Sequence, residues 1–123
     1  MPRVRVIFYK EDDGTVPMVE WVEALPKKVR EKCFEWIERL MTSGYELHRP
    51  YADLLRDGVH ELRLRFLKVN YRMLYFFHGN MAVIITHGLT KERQVPSQEI
   101  DKAVELRKRF LADPESHTFR WEP

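Results

Sequence analysis

The segment HELRLRFLKVNYRMLYFFHGNMAVIITHG, residues 60–88, carries three arginines and three histidines among its apolar residues. Arg63, Arg65 and Arg72 carry planar guanidinium groups, which stay charged and bind phosphate through two parallel hydrogen bonds. The imidazole of a histidine such as His87 ordinarily titrates at about pH 6.5, which suits proton transfer. These residue types predict a site that holds an anion, either a phosphate or the carboxylates of a partner.

The positive charge of the chain is concentrated around this segment. The whole chain of 123 residues has a net charge of only +2, from 21 Lys and Arg against 19 Asp and Glu. Residues 60–95 alone contain six basic residues and two acidic ones. An anion-binding surface must therefore come from local clustering and not from the overall charge.

The elements that must position these residues follow from periodicity and turn signals. Apolar residues that are β-branched or aromatic predict strands over 4–10, 60–66, 69–77 and 81–88. Amphipathic spacing predicts helices over 17–25, 27–44 and 96–111, and 45–59 is expected to be a connector. The predicted order is β-α-α-β-β-β-α, an α+β fold with helices on one face of a mostly antiparallel sheet and the first strand at an edge. We expect one domain over 1–112 and a loosely ordered tail over 113–123.

The register of the predicted sheet brings the basic residues together. With Leu67 and Lys68 at the tip of the first hairpin, one face pairs leucines with apolar residues, and the other face pairs Arg63 with Arg72 and Arg65 with Asn70. A two-residue turn at Gly79-Asn80 places His87 opposite Arg72 and Leu74 opposite Ile85. Arginines opposite each other repel, so the row of Arg63, Arg72 and His87 requires a negative partner. Glu61, on the same face, could neutralise one arginine.

Three interpretations of this face remain open on pattern alone: a solvated sheet surface, a phosphate or nucleic-acid site, and a protein interface. The histidines and Cys33 lack metal-ligand spacing, so we predict no metal and no cofactor. Met18, Trp21, Cys33 and Trp36 are expected to pack in the core. A single cysteine, no signal peptide and no apolar run of about 18 residues predict a cytoplasmic protein.

The strand pair HELRLRF…NYRMLYFF, followed by IITHGLTKERQVPSQEIDKA, resembles the RelE/ParE toxin superfamily, and most closely its HigB-like, phage-derived branch. The helical segment PMVEWVEALPKKVREK is also similar to that family. The resemblance covers about residues 3–111. It implies a RelE-like fold and the toxin of a type II toxin–antitoxin pair, an mRNA endonuclease that acts on the ribosome or on free mRNA. Its partners are then mRNA, the ribosome and a cognate antitoxin of helix-turn-helix type, with no role for a membrane.

Cleavage in this superfamily needs no metal, because the RNA 2′-OH attacks the adjacent phosphate. In this chemistry Arg63 and Arg72 are expected to clamp the phosphate, His87 to act as acid or base, and Lys91 to assist. We expect the neighbouring phosphates to be held by Arg65, Lys68, Asn70 and Arg93. The alternative is a non-enzymatic module or a ParE-type gyrase inhibitor. Glu92, which stands where the family usually has a lysine, favours an inactive module.

Overall fold

The computed structural model describes residues 3–90 and 93–123. Three α-helices, six strands and two short 3₁₀ turns follow one another along these residues. In chain order they are β1 (Arg5–Tyr9), α1 (Pro17–Glu23), α2 (Lys27–Ser43), a 3₁₀ turn (Gly44–Glu46), β2 (Ala52–Arg56), β3 (Val59–Phe66), β4 (Val69–His78), β5 (Ala82–Thr90), α3 (Ser97–Ala112), a second 3₁₀ turn (Glu115–His117) and β6 (Thr118–Arg120). None of the helices in this part of the chain is both long and apolar enough to cross a bilayer.

The six strands form one open sheet in the order β2-β3-β4-β5-β1-β6. Only β1 and β5 are parallel, so the sheet is mostly antiparallel and the predicted α+β class is confirmed. Two strands were not predicted. Ala52–Arg56, expected in a connector, forms the edge strand β2, and Thr118–Arg120, expected in a loosely ordered tail, pairs with β1 as β6. Because β6 lies outside β1, the first strand is not at the edge of the sheet.

Helices cover both faces of the sheet, which corrects the prediction of a single covered face. Apolar residues of α1 and α2 pack on one face, in a core that includes Met73 and Tyr75 of β4. Residues of α3 pack on the other face, where they meet Leu74 and Phe76 of the same strand. Since β4 is apolar on both faces over this stretch, each face needs a cover that excludes water.

The hairpin between β3 and β4 has the predicted register. Arg63 pairs with Arg72 and Arg65 with Asn70, while Leu64 pairs with Tyr71 on the opposite face. The turn is formed by Leu67 and Lys68, whose φ angles are 50° and 68°. Two consecutive positive φ angles are typical of the mirror-image turn that matches the twist of the strands, although glycine or asparagine is usual there.

The hairpin between β4 and β5 has a different register from the predicted one. His78 pairs with Ala82, so the turn contains three residues and not two. A bulge at Thr86 then adds a further residue, because Tyr75 pairs with Ile85 whereas Leu74 pairs with His87. The extra turn residue and the bulge together shift the pairing by two residues. His87 therefore lies on the same face as Arg72, but opposite Leu74.

Candidate functional site

The face that carries Arg63 and Arg72 divides into an open end and a covered part. Arg63, Arg65 and Lys68 are exposed at the open end, next to the tip of the β3–β4 hairpin. Arg72 and His87 lie under α3 and its preceding segment, with exposures of 5% and 4%. The predicted row of three side chains is not formed. Arg72 pairs with Arg63 on one side and with Leu89 on the other, and His87 lies diagonal to Arg72.

Two groups of the same chain hold the guanidinium of Arg72. One of its terminal nitrogens donates to the Glu61 carboxylate in a buried ion pair, and the other donates to the backbone carbonyl of Arg93. Glu61 therefore neutralises one of the two opposed arginines, as its position on this face predicted. A buried guanidinium is tolerated in a protein only when it is paired and hydrogen-bonded in this way.

His87 is held between the bulge in β5 and the first turn of α3. Its Nδ1 lies 3.0 Å from the hydroxyl of Thr86, and its Nε2 lies 3.0 Å from Oε1 of Glu99. Burial lowers the pKa of His87 below the ordinary value, and the nearby Lys102 lowers it further, whereas Glu99 acts in the opposite direction. The neutral imidazole is therefore favoured. Nε2 can donate to Glu99, because a carboxylate can only accept.

Helix α3 is fixed over this part of the sheet by polar contacts as well as by its apolar stripe. The guanidinium of Arg56, on the edge strand β2, donates to the hydroxyl of Ser97 at 2.9 Å and to Asp101 at 2.6 Å. Both partners lie in the first two turns of α3. These bonds hold the N-terminal half of the helix where Glu99 meets His87.

Other predicted site residues lie at the margins of this arrangement. Asn70, opposite Arg65, is partly buried. The Arg93 side chain is exposed, and its backbone carbonyl is the acceptor for Arg72. Lys91 lies outside the described residues, and so does Glu92.

Sequence reasoning missed Glu99 and Tyr51 as site residues. Glu99 lies twelve positions beyond His87, on an element that was expected on the other face of the sheet. Tyr51 was placed in a connector, but it lines a cleft beside Arg63 together with Trp36, which was assigned to the core. This cleft has a volume of about 310 Å³ and is called the Arg63 cleft below. Its lining residues are Trp36, Pro50, Tyr51, Arg63, Leu64, Arg65, Asn70, Tyr71 and Arg72.

Comparison with known proteins places these features in a family. No curated protein matches the chain. Residues 20–108 match the family described as phage derived protein Gp49-like (DUF891). That span runs from α1 into α3, so it includes the arginines of the hairpin, the bulge and His87. The chain therefore belongs to the phage-derived Gp49-like family, a family of RelE-like, toxin-related proteins.

Proposed function

We propose that this chain is the toxin of a type II toxin–antitoxin pair, of the HigB-like branch, and that it acts as an mRNA endonuclease. The observation that carries the proposal is the Arg63 cleft, whose lining among the described residues includes Arg63, Arg65 and Arg72 and no carboxylate. A surface of this kind attracts the phosphates of RNA. Membership of a toxin-related family supplies the second support.

In the proposed reaction, the 2′-OH of a bound nucleotide attacks the adjacent phosphate and expels the 5′-oxygen of the next nucleotide. The products are a 2′,3′-cyclic phosphate and a 5′-hydroxyl end. Arg63, which is exposed, binds the phosphate and stabilises the negative charge that develops on its oxygens. Arg72, which also lines the cleft, is proposed as the second guanidinium of the clamp, and in the folded chain it is bonded to Glu61 and to the Arg93 carbonyl.

The two protons that move in this reaction require an acid and a base. His87 is the proposed group, with Lys91 as the second candidate. His87 is only 4% exposed and is bonded to Glu99. It can therefore contact RNA only when the first turn of α3 moves away from it. Arg65, Lys68, Asn70 and Arg93 are proposed to hold neighbouring phosphates.

The test is induced expression without an antitoxin, followed by mapping of RNA 5′ ends. Expression of the wild-type chain should arrest growth and produce new 5′-hydroxyl ends in mRNA. Arg63→Ala should abolish both effects, because it removes the exposed half of the clamp. Arg120→Ala is the matched control, since Arg120 is an exposed arginine on β6, at the opposite edge of the sheet. Toxic Arg63→Ala protein would show that the clamp is assigned to the wrong residue.

A non-enzymatic toxin-like module is the second candidate function. It is favoured by the pairing of Arg72 with Glu61 and of His87 with Glu99, which occupies both groups in the folded chain. Growth arrest with intact RNA would support this candidate, and a change in DNA supercoiling would point to gyrase as its target.

We further propose that the toxin acts in the cytoplasm on mRNA, at the ribosome, and that a helix-turn-helix antitoxin inhibits it. Co-expression with the product of a small neighbouring gene should then restore growth. The two proteins should also elute together in size-exclusion chromatography. Restored growth without complex formation would contradict direct inhibition.

A further inference from the structure

The Arg63 cleft has an aromatic wall, formed by Trp36 and Tyr51, as well as a basic rim, formed by Arg63 and Arg65. Trp36 lies on α2, at the position where β3 extends beyond the pairing with β2. The indole Nε1 of Trp36 donates to the backbone carbonyl of Arg63 at 2.9 Å. The backbone N–H of the same arginine donates to the carbonyl of Tyr51 at 2.7 Å. The wall and the rim are therefore fixed to each other through one residue of β3.

The two rings of the wall are held in a defined orientation. Their centroids are 5.9 Å apart and their planes are inclined by 63°. The guanidinium of Arg39 lies 4.2 Å from the centroid of the Tyr51 ring and 5.3 Å from that of the Trp36 ring. Arg39 does not line the cleft, so it supports the wall from behind through cation–π contacts.

The rim supplies positive charge, and no acidic side chain lines the cleft in the part of the chain that the structure describes. Arg63 and Arg65 are exposed beside the wall, and Arg72 lines the inner end. Among the described residues, Glu61 is paired with Arg72, and Asp53 is paired with Arg49 at 3.0 Å. Arg49 and, as a smaller cause, Arg63 lower the pKa of the Asp53 carboxyl. An aromatic ring face beside guanidinium groups matches a nucleotide, which joins a planar base to a phosphate. The volume, about 310 Å³, falls at the small end of the range for ligand pockets.

We propose that the Arg63 cleft binds one nucleotide of single-stranded RNA, with the base against Tyr51 and Trp36 and the phosphate on Arg63 and Arg65. This inference rests on the proposed function and adds a subsite to it. The base is recognised by stacking, which every base can provide, so this subsite contributes affinity with little sequence preference. An acidic peptide would use the rim and would gain nothing from a flat ring.

The experiment is the binding of a short fluorescein-labelled oligoribonucleotide with 2′-O-methyl groups, which the protein cannot cleave. Fluorescence anisotropy gives the Kd as a function of salt. Tyr51→Ala should bind about 5- to 150-fold more weakly, the range for loss of one base-stacking contact. Tyr51→Leu, which keeps an apolar side chain but has no π face, should lose about as much. Tyr51→Phe should bind like the wild type.

Two further variants separate the subsite from general surface effects. Tyr45→Ala is the matched control, because Tyr45 is an exposed tyrosine that stacks on Phe77 near the β4–β5 hairpin, away from the cleft. It should leave the affinity unchanged. Arg65→Gln should reduce the slope of log Kd against log salt concentration by about one, the amount for one phosphate contact, whichever base is bound. Circular dichroism melts identify any variant that fails to fold.

The inference is overturned if the wild type does not bind the oligonucleotide, if Tyr51→Leu binds as tightly as Tyr51→Phe, or if a poly-glutamate peptide competes better than RNA. These outcomes are distinct from failure of the proposed function. Tyr51-dependent binding in a chain that leaves cellular RNA intact would support the subsite and refute the nuclease. Cleaved cellular RNA with Tyr51-independent binding would refute the subsite alone.

Discussion

The buried ion pair between Glu61 and Arg72 predicts a large loss of stability in Glu61→Gln. The two side chains are 7% and 6% exposed. Glutamine keeps the shape of the side chain but removes its charge, so the guanidinium stays buried without a counter-charge. Removal of one partner of a buried pair costs about 3–5 kcal/mol. Because the amide oxygen of glutamine still accepts a hydrogen bond, we expect about 3 kcal/mol, the lower end of that range.

The assay is urea unfolding followed by circular dichroism. For a small domain the free energy of unfolding falls by about 1–3 kcal/mol per molar urea, so the midpoint should drop by about 1–3 M. Asp53→Asn is the matched control, since it makes the same chemical change in the Asp53–Arg49 pair, whose side chains are 27% and 76% exposed. An exposed pair of this kind contributes less than about 1 kcal/mol.

A double variant separates lost charge from lost packing. Glu61→Leu with Arg72→Leu removes both charges and keeps apolar volume, and such replacements are often neutral or stabilising. We expect the double variant to be more stable than Glu61→Gln. If Glu61→Gln loses no more than Asp53→Asn, the pair is not buried as described. If the double variant is the least stable of all, packing and not charge explains the loss.

The buried Glu61–Arg72 pair also determines which arginine can test the proposed clamp. Arg72→Ala leaves the Glu61 carboxylate buried without its partner, so a loss of toxicity can come from unfolding alone. Arg63 is exposed, and its substitution leaves no buried charge. The activity of Arg63 variants is therefore the direct measure of the proposed phosphate clamp.

Three further predictions follow from burial. Burial lowers the pKa of His87 and of His60 below 6.5, so the unfolded chain binds more protons than the folded chain. The free energy of unfolding should therefore be highest above about pH 6.5 and decrease below it. Urea titrations should show a weaker pH dependence for His87→Gln, and stability that increases as the pH falls would contradict the prediction. A Cβ on Gly88 would lie 2.2 Å from ring atoms of Trp21, so Gly88→Ala should lower the free energy of unfolding by about 1–3 kcal/mol or more in thermal melts. Adding Trp21→Leu should restore part of this stability. An unchanged melt for Gly88→Ala would show that the contact is looser. Burial raises the pKa of Cys33 to about 12, so a thiol reagent should label it only in denaturant, and rapid labelling of the native chain would contradict its burial.

The sequence by itself determined the first hairpin and the face that carries the arginines. Leucines alternate with arginines along β3, so a shift of one residue would bury Arg63 and Arg65 and expose Leu62 and Leu64. Only one register avoids that cost. The alternation therefore specifies which residues are neighbours across β3 and β4, even though Leu67 and Lys68 are poor turn residues.

The register of the second hairpin was decided by tertiary structure. The residues from Ala82 to Ile85 are apolar on both faces, so a shift by one position costs little within the hairpin. Contacts on both faces select the three-residue turn and the bulge at Thr86, because Val83 and Ile85 pack under α1 and α2 while Ile84 packs under α3. Periodicity could not supply this information, since both faces of the strand are covered.

The partners of the charged side chains were also decided in three dimensions. The sequence indicates that Arg63, Arg72 and His87 need a negative neighbour, and charge repulsion is enough to establish that. The choice between an external phosphate and a carboxylate of the chain depends on where α3 packs, which involves contacts between residues far apart in sequence. In the fold, Glu61 pairs with Arg72 and Glu99 pairs with His87. Arg63 and Arg65 stay exposed beside Tyr51.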